Sequence, residues 1–381
     1  MTPAALPDPA PKPAPAAGPG PGDKPGPADR PGPGGGPLLE LRDLVKYFPL
    51  RRGIVVKREI GRVHAVDGVS LAVRRGETLG LVGETGCGKS TLARCADRLY
   101  PVTSGQVLFD GQDITALGRR QVRPYRRRIQ MIFQDPYGSL NPRRRVGSII
   151  GDPFAIHGTA AGAQRKRAVQ ELMELVGLNP EHYNRFPSEF SGGQRQRIGV
   201  ARAVALRPEL VIADEPVSAL DVSIQAQIIN LLADLQGEFG LTYLFITHDL
   251  SVVRHVSDRI AVMYLGQVVE LAATGDLHQR PRHPYTNALL SAASVADPDR
   301  SAQRRRIVLA GDVPSPVTPP DGCRFHPRCP KAQQRCTVQA PVLLAQAGDP
   351  DTHLTACHFP VQPGEDLTAA GTGLIPPQRQ P

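Results

Sequence analysis

The chain contains no tryptophan, and of its 381 residues only ten are phenylalanine and eight are tyrosine. Its interior must therefore be assembled from aliphatic side chains, and any site that needs an aromatic platform has few candidates. No apolar run approaches the roughly 18 residues of a membrane-crossing helix, and no charged start followed by an apolar stretch marks an export signal. The expected compartment is the cytosol. Cysteine is scarce too: Cys87 and Cys95 lie together, while Cys323, Cys329, Cys336 and Cys357 crowd towards the end. In a reducing compartment such a cluster is more readily a metal site than a disulfide framework.

Proline and glycine, by contrast, are plentiful and unevenly spread. The first 37 residues hold 13 Pro and 8 Gly, with three acidic and three basic side chains cancelling, so they can bury almost nothing. Residues 1–37 are expected to be disordered, as is the tail 363–381. The net charge of +9 comes largely from arginine clusters at 119–128 and 143–145. Such clusters suit nucleic acid, acidic lipid or a protein partner, and most often are solvated faces.

The stretch LGLVGETGCGKSTLARC (79–95) is the most informative. Gly83, Glu84, Thr85, Gly86, Cys87, Gly88, Lys89 and Ser90 match G-x-x-x-x-G-K-[ST], and Thr91 continues into an amphipathic segment. A buried strand before the loop and a helix after it would aim backbone N–H groups and a helix dipole at an anion. Lys89 would reach the β- and γ-phosphates of a nucleotide, and Ser90 would hold Mg²⁺. Further on, LVIADEP places Asp214 at the end of an apolar strand, where its carboxylate would hold Mg²⁺ through water. The adjacent Glu215 would orient or deprotonate an attacking water.

Around these motifs LLELRDLVKYF alternates like an edge strand, and RIQMIFQ is a short strand ending in Gln134. Residues 162–178 place Val169, Leu172, Met173, Leu175 and Val176 on a helical period. SGGQRQR opens another helix, TYLFITHD is a buried strand ending in His248, and RIAVMYLGQVVELA reads as a hairpin. Alternating strands and helices predict an α/β fold with a mainly parallel core sheet, preceded by an antiparallel β subdomain.

GETGCGKST, Gln134 after a strand, SGGQ, LVIADEP, SALD and ITHD stand in the order of the ABC transporter ATPases, which this chain closely resembles. The resemblance implies a P-loop NTPase of the ABC type over residues 38–280, with a helical subdomain at about 135–195. It implies that Ser191, Gly192, Gly193 and Gln194 contact the γ-phosphate of ATP bound by a partner subunit, and that Asp221 crosses the same interface. Gln134 would sense Mg²⁺ and water, His248 would hydrogen-bond the γ-phosphate, and Phe48, rather than Tyr47, would stack on adenine. QDPYGSLNPR, HPYTNALLSA and the tail GDVPSPVTPPDGCRFHPRCP further resemble the oligopeptide/dipeptide (peptide/nickel) importers, with a small Cys-containing C-terminal domain at 281–362.

That resemblance implies an ATP-hydrolysing subunit powering di- or oligopeptide import from the cytoplasmic face of the membrane. Its partners would be a second, related ATPase subunit, two membrane permease subunits and an extracytoplasmic peptide-binding protein. The QDPYGSLNPR loop and the helical insertion after it would receive a coupling helix from the permease. A nickel or other small-solute importer is the alternative; a soluble ABC ATPase acting on nucleic acid or ribosomes is the more distant one, and no nucleic acid is expected. For Cys323, Cys329, Cys336 and Cys357, intervals of five, six and twenty residues lack paired C-x₂-C knuckles. They point to a [4Fe–4S] cluster ahead of zinc or no metal, an expectation to which the related importers add weight.

Overall fold

The runs TLGLV, LVIAD and TYLFIT are apolar without alternation, the pattern of strands covered on both faces. In the computed structural model, which describes residues 36–52, 58–135, 138–292 and 307–367, all three are wholly buried and lie side by side. The expectations of disorder for 1–37 and 363–381 fall almost entirely outside the described residues.

Strands β1 (Leu39–Arg52) and β2 (Arg58–Val73) lead into β3 (Thr78–Val82), the glycine loop and helix α1 (Lys89–Ala96). Then come β4 (Ser104–Phe109), β5 (Gln112–Asp113), α2 (Arg123–Arg128) and β6 (Ile129–Ile132). Helices α3 (Val146–His157), α4 (Gly162–Leu175) and α5 (Gly192–Val204) follow. The core resumes with β7 (Leu210–Asp214), α6 (Val222–Phe239), β8 (Thr242–Thr247), α7 (Leu250–Val256), β9 (Arg259–Tyr264) and β10 (Gln267–Ala273). Helices α8 (Thr274–Gln279), α9 (Pro284–Ala292) and α10 (Gln334–Val338) and strands β11 (Leu344–Ala345) and β12 (Leu354–Thr355) complete the described elements.

The main sheet has the order β11-β12-β10-β9-β3-β8-β7-β6. From β9 to β6 the pairings are parallel, and β10, β12 and β11 extend the sheet antiparallel. β3 therefore sits inside the sheet, with the functional strand ends of β7 and β8 on one side of it. The second sheet, β2-β1-β4-β5, is antiparallel and encloses Leu92, Ala93, Cys95 and Ala96 of α1 in a shared core with Leu41, Val66 and Phe109. β1 is not the edge strand its alternation predicts, because β2 and β4 flank it on both sides. Alternation reports which face is buried and is silent on how many edges are hydrogen-bonded.

The helical region packs α3, α4 and α5 together. Val169 and Met173 of α4 are buried, as is Val176 just beyond it, bearing out three positions of the predicted apolar face. The C-terminal segment shares the main sheet: β12 pairs with β10 through Glu270 and Leu271. Glu270 is fully buried and accepts the N–H groups of Arg282 (2.7 Å) and His283 (2.9 Å) while His353 Nε2 lies 2.8 Å away. A buried carboxylate is tolerated only with this degree of satisfaction, so it fixes β10, the start of α9 and the tail to one another.

Candidate nucleotide site

The glycine loop runs between β3 and α1, as the sequence predicts. A Cβ at Gly83 would run into the carbonyl oxygen of Met263, and one at Gly88 into that of Ala65, so neighbouring backbone fits directly against the loop. Gly88 caps α1 at φ 110°, a conformation that side chains other than hydrogen strongly oppose. The Lys89 ammonium is buried and donates to the carbonyls of Gly83 (2.8 Å) and Glu84 (3.0 Å). It therefore stands within the loop it closes, with the α1 N-terminus beside it.

At the first turn of α1, Ser90 Oγ donates to Asp214 Oδ1 at 2.8 Å. Asp214 ends β7 and is fully buried; its Oδ2 has no partner. Burial raises its carboxyl above the usual range, against the Ser90 hydrogen bond, which lowers it. A hydroxyl oxygen and an unpartnered buried carboxylate oxygen side by side are hard ligands suited to Mg²⁺ and its waters. These residues fit the ion that the motif implies.

Glu215 follows at φ 47°, uncommon for any residue but glycine, and is 7% exposed. Its backbone N–H is held by Ile246 O (2.9 Å) of β8. Its Oε2 accepts the side-chain N–H of Gln134 at 2.7 Å and lies 3.5 Å from His248 Nδ1. Three residues predicted from separate strings, after β6, β7 and β8, thus meet at one carboxylate oxygen. Strained backbone directing a buried carboxylate between two polar partners is characteristic of a working site.

Ser191 caps α5: its Oγ accepts Gln194 N–H (3.3 Å) while Gln194 Oε1 accepts Ser191 N–H (3.0 Å). Gln194 is thus engaged in a capping box, and Gly193 approaches Ile224 so closely that a Cβ would collide with it. Ser191 and Gln194 are exposed, Gly192 and Gly193 half-buried, and Asp221 is exposed at the N-cap of α6. Thr85 and Gly86 lie in the exposed part of the glycine loop, and Thr91 continues α1. Phe48 is half-buried, edge-on to Tyr100 (5.7 Å), with Lys46 Nζ 4.8 Å over its ring. Tyr47 donates to Asp67 (2.5 Å) and lies against His64 (4.2 Å), so its hydroxyl and one face are committed.

With this geometry the comparisons with known proteins agree. Residues 66–218 match the family described as ABC transporter, and residues 269–336 match the C-terminal region of oligopeptide/dipeptide transporters. The oligopeptide transport ATP-binding protein AppF of Bacillus subtilis is 56% identical over 323 residues, 84% of this chain and 97% of AppF. The chain belongs to the oligopeptide/dipeptide family of ABC transporter ATP-binding subunits.

This ABC subunit also resembles the dimeric ATP-binding cassette MJ0796 bound to ADP and Pi, with a TM-score of 0.56 and 28% identity over 62% of this chain and 99% of that one. CbiO1 of Clostridium perfringens, part of the cbiONQ ABC transporter complex, gives a TM-score of 0.54 and 25% identity over 64% of this chain and 90% of its own. The predicted P-loop fold of the ABC type stands, and with it ATPase activity using ATP and Mg²⁺. No helix among the described residues is long and apolar enough to cross a membrane.

Sequence reasoning missed the residues that brace the loop from outside. Tyr285 Oη accepts Glu84 N–H at 2.9 Å, Arg328 pairs with the Glu84 carboxylate, and Arg324 pairs with Asp67. No local string announces contacts between residues this far apart in the chain.

The four C-terminal cysteines are free thiols, and each pair among them is close enough to interact electrostatically. Burial, reinforced by the neighbouring thiols, pushes Cys329 and Cys357 up to about 12. Among the described residues, however, no group of three or more His, Cys, Asp or Glu side chains closes tightly enough to hold a metal ion.

Proposed function

We propose that this subunit powers the import of di- or oligopeptides, working on the cytoplasmic face of the membrane in a complex with permease subunits. The observation that carries the reading is the hydrolytic cluster: Ser90 and Asp214 joined at 2.8 Å beside a Glu215 carboxylate held by Gln134. A protein that only bound nucleotide would have no use for a buried base in strained backbone. The peptide assignment rests on the C-terminal region and on AppF, whose name describes oligopeptide transport.

In this reading Gly83–Thr91 cradle the phosphates, with Lys89 supplying the positive charge. Mg²⁺, held by Ser90 and through water by Asp214, would neutralise charge on the phosphates. Glu215 orients and deprotonates the attacking water, Gln134 fixes the Glu215 carboxylate, and His248 donates to the γ-phosphate. Phe48 stacks on adenine on the face opposite Lys46. Ser191, Gly192, Gly193 and Gln194 present the start of α5 to ATP bound by a second, related ATPase subunit, with Asp221 at the same interface. Exposure of the α5 cap supports that arrangement, because it leaves N–H groups and a helix dipole facing away from the chain's own core.

Two permease subunits and an extracytoplasmic peptide-binding protein complete the assembly. In the loop expected to receive the permease, residues 136 and 137 lie outside the described residues. Ser139 in that loop accepts Arg202 of α5 through its carbonyl (2.8 Å), which supports a path from α5 to the docking surface. Co-expression with membrane permeases and reconstitution in vesicles tests the assignment: ATP turnover should rise with a peptide-loaded binding protein. Stimulation by a nickel-loaded binding protein and not by peptides would overturn the peptide reading.

Cys323, Cys329, Cys336 and Cys357 would hold a [4Fe–4S] cluster in a structural or redox-sensing role. Four thiols in mutual electrostatic reach support this donor set. No step of ATP hydrolysis passes through it.

A further inference from the structure

Glu84 is an odd resident of an anion cradle. It is the second residue of the glycine loop, and a free carboxylate there would oppose the phosphates that the loop exists to bind. The fold deals with it from outside the nucleotide-binding motifs. Arg328 Nη1 lies 2.9 Å from Glu84 Oε2 and 3.2 Å from Oε1, with the arginine side chain 10% exposed. Tyr285 of α9, fully buried, accepts the Glu84 backbone N–H at 2.9 Å. Glu84's own carbonyl and that of Gly83 take the Lys89 ammonium, so whatever fixes Glu84 also fixes the lysine.

Arg328 is itself firmly seated. Phe325, three residues earlier, is buried against Tyr264 (5.2 Å) and Tyr285 (5.4 Å). Arg324 donates to Leu265 O at 2.5 Å and pairs with Asp67, the same carboxylate that accepts Tyr47. The turn between Cys323 and Cys329 thus grips the nucleotide site at two places, the glycine loop through Arg328 and the β1–β2 side through Arg324.

We propose that Arg328, together with Tyr285, is a positioning residue for ATP: it neutralises Glu84 and holds it away from the phosphates, so that the C-terminal segment is a working part of the nucleotide site. The proposal rests on the reading of residues 83–91 as the ATP loop. Because Arg328 acts on binding and not on the hydrolytic water, its loss should raise KM for ATP while changing kcat little.

Equilibrium binding of a fluorescent ATP analogue with Mg²⁺ to the full chain is the direct test, with thermal melting as a check on folding. Arg328→Ala should weaken binding about tenfold or more, the scale of one partly buried charge-assisted pair. Arg328→Lys, which keeps the charge on a shorter side chain, should lose only a few-fold. Glu84→Gln in the Arg328→Ala background should restore binding to near the wild-type level, because the unpaired carboxylate is then gone. A merely structural role would not be rescued this way.

Wild-type affinity in Arg328→Ala would overturn the proposal, and so would an affinity loss that Glu84→Gln fails to rescue. Should Arg328→Ala not fold, Arg328→Lys and Arg328→Lys/Glu84→Gln carry the same comparison, and no recovery in the pair would be decisive against it. Lys89→Ala serves as the separate control: if that variant binds ATP normally, the reading of the loop fails and not the role of Arg328.

Discussion

Replacing Glu215 by glutamine removes one proton-accepting oxygen and almost nothing else. The side chain is 7% exposed, and its Oε2 accepts Gln134 at 2.7 Å with His248 Nδ1 3.5 Å away. The glutamine amide has the same shape, and its oxygen can still accept from Gln134, so folding stability should change by no more than about 1 kcal/mol. What disappears is the group able to take a proton from water. A positioned general base contributes roughly 10²–10⁴-fold, equivalent to about 3–5 kcal/mol of barrier. The Ser90–Asp214 pair and the loop around Lys89 are untouched, so Mg·ATP binding should persist. Turnover of the assembled complex, measured beside nucleotide affinity and melting temperature of the same variant, decides the matter. A rate within a few-fold of wild type would show that Glu215 is not the base, and lost nucleotide binding would show that it serves the ground state.

Two other outcomes are expected. If two ATPase subunits pair head to tail, Lys89→Ala disables the nucleotide loop of this subunit and Ser191→Ala weakens the site on its partner; occupancy measured site by site should show losses in opposite sites, and losses in one site would refute the pairing. The third concerns His283, fully buried and accepting Tyr285 N–H at its Nδ1 (3.1 Å), where burial lowers its value from 6.5 to about 4. Between those pH values the unfolded chain binds the extra proton, so stability is fullest above about pH 6.5 and falls on acidification by about 1.4 kcal/mol per unit, roughly 3 kcal/mol in all. Asp97, held up to about 7 by burial, acts in the opposite sense, so wild type is compared with His283→Asn across pH 7.5 to 4.5. Equal melting-temperature profiles for the two proteins would contradict the assignment.

The parts of this molecule that were legible in the sequence are those in which chemistry and its geometry share one string. Gly83–Ser90 carries its own turn residues, its lysine and its helix start, and β7 delivers Asp214 and Glu215 at a strand end because apolar runs stop where the chain emerges. Other parts were not legible for identifiable reasons. Helix α3 hides behind Gly147, Gly151 and Pro153; Gly147 is needed because the Tyr183 ring fills the space where a side chain would go. The Ser191–Gln194 spacing does announce a capping box, yet the glutamine's engagement with its own helix competes with a reading as a phosphate ligand. Arg324, Arg328, Tyr285 and His353 carry no local signal at all, since their partners Asp67, Glu84 and Glu270 lie far off in sequence.

The electrostatics of the site explain why those distant residues are required. Asp214 and Glu215 are adjacent, both buried, and the charge of Glu215 adds to burial in raising the Asp214 carboxyl. Glu84 brings a third carboxylate to a loop whose ligand is itself strongly anionic. The cations that act on Asp214 are Arg94 and Lys89, and the Lys89 ammonium also donates to loop carbonyls. A divalent cation offsets Asp214 and the phosphates but does not reach every carboxylate, so Glu84 has to be neutralised by the protein. Among the described residues it is Arg328, in the turn between Cys323 and Cys329, that pairs with this carboxylate. On the role proposed for Arg328, this chain needs its C-terminal segment in place to bind nucleotide well. A perturbation that loosens that segment, whether at Phe325, His283 or the thiols, should be felt first as weaker ATP binding and only later as loss of fold.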